Sequence, residues 1–355
     1  MYNLVFVFCS SIFLLVALVA LLRQGSILKK TEKKGFSNIQ SLFLSDWVIR
    51  FSMGYFSLLF FYSVVIVFVP MWKWNGFIWL AAAILGLLLL LSLIRRCIAY
   101  TEREFLLKKL SKRCIKAFQK GNDEAILYHV DIFIELFAHA VKKRRLVHAK
   151  RMLKLFLHLI EEYVRICGSR PRLEGEMAVT DKITLFVAYI GKSLHWVYKE
   201  ALYEHIEPVN QEIISFFGKS CVRLSHFHEA LGVLPLNLLD RCSKEAIAGE
   251  VEDVIEITSP VLSEIAKSII ELSLEKGSSY KEVLRLALSL LEENVRATYE
   301  MNRDINPALL MQPFAEIGQF LGQERYKSMP HYDSILEQLK RYMSQFNMLD
   351  LLEKE

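Results

Sequence analysis

Histidines and carboxylates come closest together at His226-Phe-His-Glu229, with His195 and His205 upstream. Imidazole nitrogens and carboxylate oxygens are common ligands of zinc and other transition metals. Residues two apart on a helix point to different sides, so His226 and His228 would share a metal only on an irregular turn. The pattern favours polar residues at a helix start over a metal site.

Two further pairs place a histidine beside a glutamate at helical spacing, Glu135 with His139 and His158 with Glu161. Metal-binding helix bundles use such pairs, but several of them must face one interior. Here the pairs flank apolar stripes typical of packing, which favours surface ion pairs. We expect no metal and no cofactor.

The sequence contains no nucleophile motif GxSxG and no phosphate-binding motif GxxxxGK[ST] or GxGxxG. Its six cysteines are scattered without a CxxC pair, which predicts buried, reduced thiols. Catalytic residues need not be close in sequence, so an enzyme acting at a membrane face stays an alternative. The sequence favours a protein that is not an enzyme.

Apolar residues make up 53% of the 355 residues and mean hydropathy is +0.27. They are concentrated in three runs without Lys, Arg, Asp or Glu, at residues 1–22, 51–72 and 74–94. At about 1.5 Å per helical residue, each run can cross a hydrocarbon core of about 30 Å. The sequence therefore predicts transmembrane helices at about 4–22, 47–69 and 77–94. A cleaved signal peptide is disfavoured for the first run, because its apolar core is long and no basic segment precedes it.

The basic residues predict how these spans are oriented. Arg23 and four lysines follow the first span, only Lys73 lies between the second and third, and many cations follow the third. Basic loops stay on the cytoplasmic side, so we expect the N-terminus outside and the C-terminal domain in the cytoplasm. A multi-pass protein of the bacterial inner membrane is the favoured localisation.

Between the spans and the C-terminal domain, residues 96–122 predict a basic helical stalk that continues the third span as far as Gly121. Four of its cations lie within about one helical turn of one another: Lys108, Lys109, Lys112 and Arg113. Anionic lipid headgroups are the natural partners of cations beside a membrane, so we expect these four residues to contact lipid. The basic run at 142–145 with Lys150 and Arg151 is assigned to lipid or solvent in the same way, and no nucleic acid is expected, because aromatic residues that could stack on bases are absent there.

The remainder, residues 123–355, predicts an all-α domain. Apolar residues recur at helical spacing, and no segment alternates for long enough to be a strand. A transmembrane region at 1–95, a stalk at 96–122 and this domain form the expected organisation, an irregular antiparallel stack of helices. The predicted helices lie at 123–142, 145–167, 180–205, 208–224, 228–246, 250–275, 279–302, 307–322 and 331–352.

Three local signals mark helix starts. Ser279 to Glu282 is a capping box, and Ser259-Pro260 and Asn306-Pro307 place proline at a first helical position. The sequence does not indicate a known helical repeat. Its prolines are unevenly spaced, and the signature residues of tetratricopeptide and ankyrin repeats are absent.

Charge is uneven along this domain. Twelve acidic residues against six basic ones fall between Lys244 and Glu300, whereas the segment after the third span is basic. Such a distal surface suits protein docking. We expect a membrane-anchored helical adaptor or assembly subunit with a protein partner and, through its spans, possible homo-oligomers. An oligomeric membrane effector or pore gated by the helical domain is the second hypothesis.

Overall fold

A computed structural model describes residues 2–32, 46–68, 75–99, 103–169, 178–276, 280–301, 307–329 and 331–345. Within these ranges all regular elements are helices, which confirms the predicted all-α class. The N-terminal helices are α1 (Tyr2–Glu32), α2 (Trp47–Phe68), α3 (Asn75–Ala99), α4 (Arg103–Lys120) and α5 (Asp123–Lys142). The following helices are α6 (Leu146–Gly168), α7 (Val179–Tyr203), α8 (Glu207–Ser225), α9 (Glu229–Ala248), α10 (Glu252–Lys276), α11 (Lys281–Met301), α12 (Pro307–Gly322) and α13 (Tyr332–Gln345), with a 3₁₀ turn at Glu324–Tyr326.

The chain divides into two compact units, Met1–Cys114 with Leu127–Leu136, and Ile115–Ile126 with Phe137–Glu355. In the first unit, α1, α2 and α3 pack against one another. Leu59 and Trp79 form the centre of this bundle, and the ring of Phe13 on α1 stacks on Phe56 at 6.4 Å. The domain boundaries expected near residues 95 and 122 stay predictions.

Two described helices are long and apolar enough to cross a membrane, at Trp47–Val65 and Phe77–Ile98, and a shorter apolar stretch lies at Val7–Arg23. The predicted count of three spans is therefore not confirmed. Length and composition alone do not separate a membrane span from a soluble core helix or a signal sequence.

The sequence predicts one continuous helix through the third span and the stalk, and α3 and α4 differ from that expectation. The guanidinium of Arg96 lies 5.1 Å from the ring of Phe105. Nine residues of one straight helix rise about 13.5 Å and place the two side chains on opposite faces. The contact therefore requires α3 and α4 to have different axes; residues 100–102 lie outside the described residues.

In the second unit, α6 to α13 pack in a regular order. Each helix contacts the next one and the next but one along the chain. This order places α6, α8, α10 and α12 in one layer and α7, α9, α11 and α13 in the other, which is the arrangement of an α-solenoid. The stack is thus regular in its contacts, although its helices vary from 14 to 25 residues in length.

Short connections in this unit repeat one type of helix end. At Arg144, His205 and Glu250 the backbone has φ between 51° and 53°, and the next residue donates its N–H to a carbonyl five residues earlier. This is the Schellman motif, in which glycine is the usual residue at the left-handed position. Gly121, after α4, has the same motif with φ 66°.

Two close contacts set the spacing between helices of the same layer. A Cβ at Gly191 on α7 would lie 2.2 Å from Leu238 Cδ1 on α9, and one at Gly218 on α8 would lie 2.6 Å from Val261 Cγ1 on α10. Glycine allows these helices to approach more closely than any other residue would.

The described residues show how α5 begins and whether a helix begins at Pro260. Asn122 caps α5, accepting from the backbone N–H of Ala125 at 2.9 Å. The Ser259-Pro260 start is wrong, because Pro260 lies inside α10. Ser259 instead accepts a hydrogen bond from Asn294 on α11, so the helix continues through the proline. The predicted caps at Ser279 and Asn306 lie outside the described residues.

Candidate functional site

The structure gives the four predicted lipid-contacting cations different surroundings. Lys108 and Lys112 are exposed on α4, whereas Lys109 and Arg113 are half-buried. The Lys109 ammonium forms an ion pair with the carboxylate of Asp46, so it has a protein partner. Contact of these side chains with lipid stays a prediction.

Asp46 is the buried centre of this ion pair, at 1% exposure. One carboxylate oxygen accepts the backbone N–H of Val48 at 3.0 Å, which caps the N-terminus of α2. The other faces Lys109 and, at 3.3 Å, Arg96 Nε. Burial lowers the pKa of Lys109, and the charge of Asp46 opposes that effect.

The Phe105 ring completes this cluster, with the Arg96 guanidinium 5.1 Å and the Lys109 ammonium 5.8 Å from its centre. The cluster therefore joins the start of α2 to α3 and α4, a structural role. Sequence reasoning missed Asp46; the signal is an aspartate placed directly before an apolar helix, where N-caps occur.

The His226–Glu229 cluster is a helix connection. His226 follows α8, and its carbonyl accepts from Lys276 Nζ. His228 caps α9 through Nδ1, which accepts the Ala230 N–H at 3.2 Å. Glu229 accepts the backbone N–H of Glu282 at 2.9 Å. These side chains serve local structure, as the sequence predicts.

The two Glu–His pairs do not gather into one site. Glu135 and His139 lie partly buried on α5, while His158 is exposed on α6 and Glu161 pairs with Arg223 at 3.4 Å. Across the described ranges, no three His, Cys, Asp or Glu side chains are arranged to hold a metal. The expected lack of a metal or cofactor stays a prediction.

His195 forms a histidine–carboxylate ion pair, with Nε2 3.2 Å from Glu245, which also pairs with Lys199 at 2.7 Å. Burial lowers the pKa of His195, and the Glu245 charge opposes this. The adjacent Tyr198 hydroxyl donates to the Cys242 carbonyl at 2.7 Å. Burial raises the pKa of the Cys242 thiol, so it stays protonated. In this arrangement His195 is a base, but the neighbouring Cys242 thiol is not activated as a nucleophile.

Polar groups inside the stack are joined by hydrogen bonds around Asn294, which is 2% exposed. Its Oδ1 accepts from Ser243 on α9 at 2.8 Å, and its Nδ2 donates to Ser259 on α10 at 2.7 Å. The side chain thereby links three helices and has no access to a ligand from solvent.

The outer face of α7 carries large apolar side chains that the stack does not cover. Leu185, Trp196 and Tyr203 are 59%, 53% and 88% exposed. Trp196 and Tyr203 follow Leu185 by eleven and eighteen residues, about three and five helical turns. The three side chains therefore share one face of α7. We call these three residues, with the exposed Lys192 on the same face, the α7 stripe.

No protein-family model and no curated protein matches the chain. A solved structure described as "Circular tandem repeat protein with novel repeat topology and enhanced subunit contact surfaces" is similar at 14% identity and a TM-score of 0.43. The similarity covers 97% of this chain and 84% of that one. It is too distant to say anything about function.

Proposed function

We propose that the protein is a membrane-anchored helical adaptor or assembly subunit whose helical stack presents a docking surface to a protein partner. The observation that carries the proposal is the α7 stripe. Tryptophan and tyrosine dominate the binding energy of protein interfaces, because they bury a large area with few rotatable bonds. Trp196 is also the one tryptophan of five outside the first eighty residues.

The chemistry of the stripe defines its partner. Leu185, Trp196 and Tyr203 fit an apolar partner surface, and the exposed Lys192 on the same face fits a carboxylate beside it. Because the side chains are spread over about 27 Å of helix, an extended partner surface fits better than a small ligand.

Membrane anchoring is supported by the surface of the first unit. Only 28% of the apolar stretch in Trp47–Val65 and 22% of that in Phe77–Ile98 is buried. Large apolar side chains of the first unit are exposed, among them Phe8, Leu58, Phe61, Leu88 and Leu91. A soluble core helix is mostly buried, so an apolar solvent accounts better for these faces. We propose three spans, with the N-terminus outside and the stack in the cytoplasm of a bacterial cell, from the distribution of basic residues.

Anionic lipid is the proposed partner of the stalk cations. Lys108 and Lys112 are exposed, and neither forms an ion pair with another described residue. Lys109 contributes through its ion pair with Asp46, which holds α4 beside α2 and α3, rather than by reaching headgroups itself.

The polar side chains inside the bundle support an anchor over a pore. Tyr55 donates to the Ala82 carbonyl at 2.5 Å, and Trp79 donates to Ser63 at 3.0 Å. Donors that are satisfied between helices do not need water, which a conducting lumen would supply. An oligomeric effector and an enzyme at the membrane face remain the alternative hypotheses.

The proposal is tested with Trp196→Ala/Tyr203→Ala, compared with wild type and with Phe227→Ala/Tyr299→Ala as an exposed aromatic control. Proteins that co-purify in mild detergent are identified by mass spectrometry, and each is then purified and titrated against the three chains. The stripe variant should bind a specific partner at least about tenfold more weakly, since a hot-spot residue is worth 2 kcal/mol or more.

A partner that binds the stripe variant as tightly as wild type would contradict this docking surface. A chain that binds no protein but turns over a lipid or nucleotide would contradict the adaptor function and favour the enzyme.

A further inference from the structure

The C-terminal end of the stack contains an open groove of about 1130 Å³ between α11, α12 and α13. Four cations line it, Lys281 and Arg285 from α11 and Lys340 and Arg341 from α13, against the one carboxylate Glu337. All four cations are exposed, and none forms an ion pair with another described residue. We call this feature the basic groove.

The floor of the basic groove suits a large occupant. Gly318 and Gly322 lie one helical turn apart on α12 and both line the groove. Gly318 is buried, whereas the exposed Gly322 leaves room for a partner backbone beside the end of α12. The volume exceeds the usual range of small-molecule pockets, so the groove fits a protein surface better than a metabolite.

A complementary surface lies on the same chain. The exposed face of α10 carries a row of carboxylates over about 33 Å, which we call the acidic ridge. Its members are Asp253, Glu256, Glu264, Glu271 and Glu275. Glu271 lies 3.6 Å from Arg325, and the other four form no ion pair with the described residues.

The two surfaces cannot meet within one chain. The buried side chains of α10, such as Ile265, Ile269 and Leu272, belong to the face that packs on its neighbours, including α11 and α12. The acidic ridge lies on the exposed side of α10, where Glu271 reaches Arg325 beyond α12, and none of its members lines the basic groove. The ridge of a second molecule can bring further carboxylates into that groove.

We propose that the acidic ridge of one copy docks in the basic groove of a second copy of this chain. The contact is heterologous, since the two copies use different surfaces, and it repeats from copy to copy to form a ring or a filament. Opposite charges steer the encounter and fix its register. This self-association goes beyond the adaptor function and does not depend on it, because the α7 stripe takes no part.

The test uses the full chain in mild detergent, with mass measured by light scattering and sedimentation at low and high salt. Wild type should associate at low salt and dissociate at high salt, because screening weakens contacts between exposed charges. Arg285→Glu/Arg341→Glu and Glu256→Lys/Glu264→Lys should each lower the association constant by at least about tenfold, since each places like charges together. A control, Lys154→Glu/Lys192→Glu, changes the charge equally outside the groove and should associate as wild type does.

Charge exchange separates this contact from a general effect of charge. The groove variant mixed with the ridge variant should associate again, and so should one chain carrying all four substitutions. A wild-type chain that is monomeric at low salt would overturn the proposal, as would association that survives the groove substitutions. Failure of both the mixture and the fourfold variant to associate would overturn it too. A monomer whose groove binds an acidic peptide would assign the groove to a different partner.

Discussion

Asn294 accepts a hydrogen bond from the hydroxyl of Ser243 at 2.8 Å, inside the helical stack. The same amide donates to Ser259 at 2.7 Å and to the carbonyl of Ile255 at 3.4 Å. One side chain thus fixes the relative positions of α9, α10 and α11, and each of its polar atoms has a partner.

Replacing Asn294 by leucine should destabilise the fold by about 1–3 kcal/mol, because the buried Ser243 hydroxyl and the partly buried Ser259 hydroxyl lose their partner. The measurement is chemical unfolding of the full chain in mild detergent, followed by helical circular dichroism. Adding Ser243→Ala and Ser259→Ala should recover part of the loss, since no unsatisfied hydroxyl then remains. Equal stability of the single and triple variants would show that the network has no such role.

Gly191 offers a second test of the stack. Alanine there must displace Leu238, and overpacking costs about 1–3 kcal/mol, which exceeds the gain of about 1 kcal/mol from better helix propensity. Gly191→Ala should therefore unfold at a lower temperature than wild type. Gly168→Ala is the control, because nothing lies within 4 Å of its added Cβ, and it should be neutral or stabilising. Stabilisation by both substitutions would contradict the close contact.

Glu250→Gly should stabilise the protein by about 0.5–1 kcal/mol. The backbone at Glu250 has φ 53°, where a side chain is strained and glycine is not. The gain is limited because glycine also makes the unfolded chain more flexible. Glu256→Gly, inside α10, should lower the free energy of unfolding by about 1 kcal/mol. It serves as a control in the same measurement, because glycine is unfavourable within a helix.

Asp46→Asn separates the two roles of the buried carboxylate. Asparagine can still cap α2, but Arg96 and Lys109 lose their counter-charge and repel each other. We expect the free energy of unfolding to fall by about 1–3 kcal/mol. This is less than the loss for a fully buried ion pair, because both cations reach solvent. The thermal midpoint in detergent should fall, and Lys109→Met on the Asp46→Asn background should raise it again. A drop no larger than that of Lys108→Met, which removes an exposed charge, would contradict the ion pair.

The sequence by itself determined the helices and most of their limits. Residues 123–142 and 307–322 match α5 and α12 at both ends, because apolar periodicity and local caps act within a few residues of chain. Pro260 is one exception: its missing N–H predicts a helix start, but contacts made across the stack maintain α10 through it. The continuous helix predicted through the third span and the stalk is another, because α3 and α4 have different axes.

The tertiary structure decided everything that depends on distant residues meeting. Asp46 and Lys109 are 63 residues apart, and Ser243 and Asn294 are 51 apart, so no local pattern reveals either pair. The packing of the helices also decides where the charged side chains lie on the surface. Along the chain, residues 245–300 carry an excess of acidic residues, yet the stack exposes the carboxylates of α10 and the cations of α11 on different helices. Periodicity tells which side of a helix is buried, whereas only packing tells which neighbour covers it and what the remaining surface can bind.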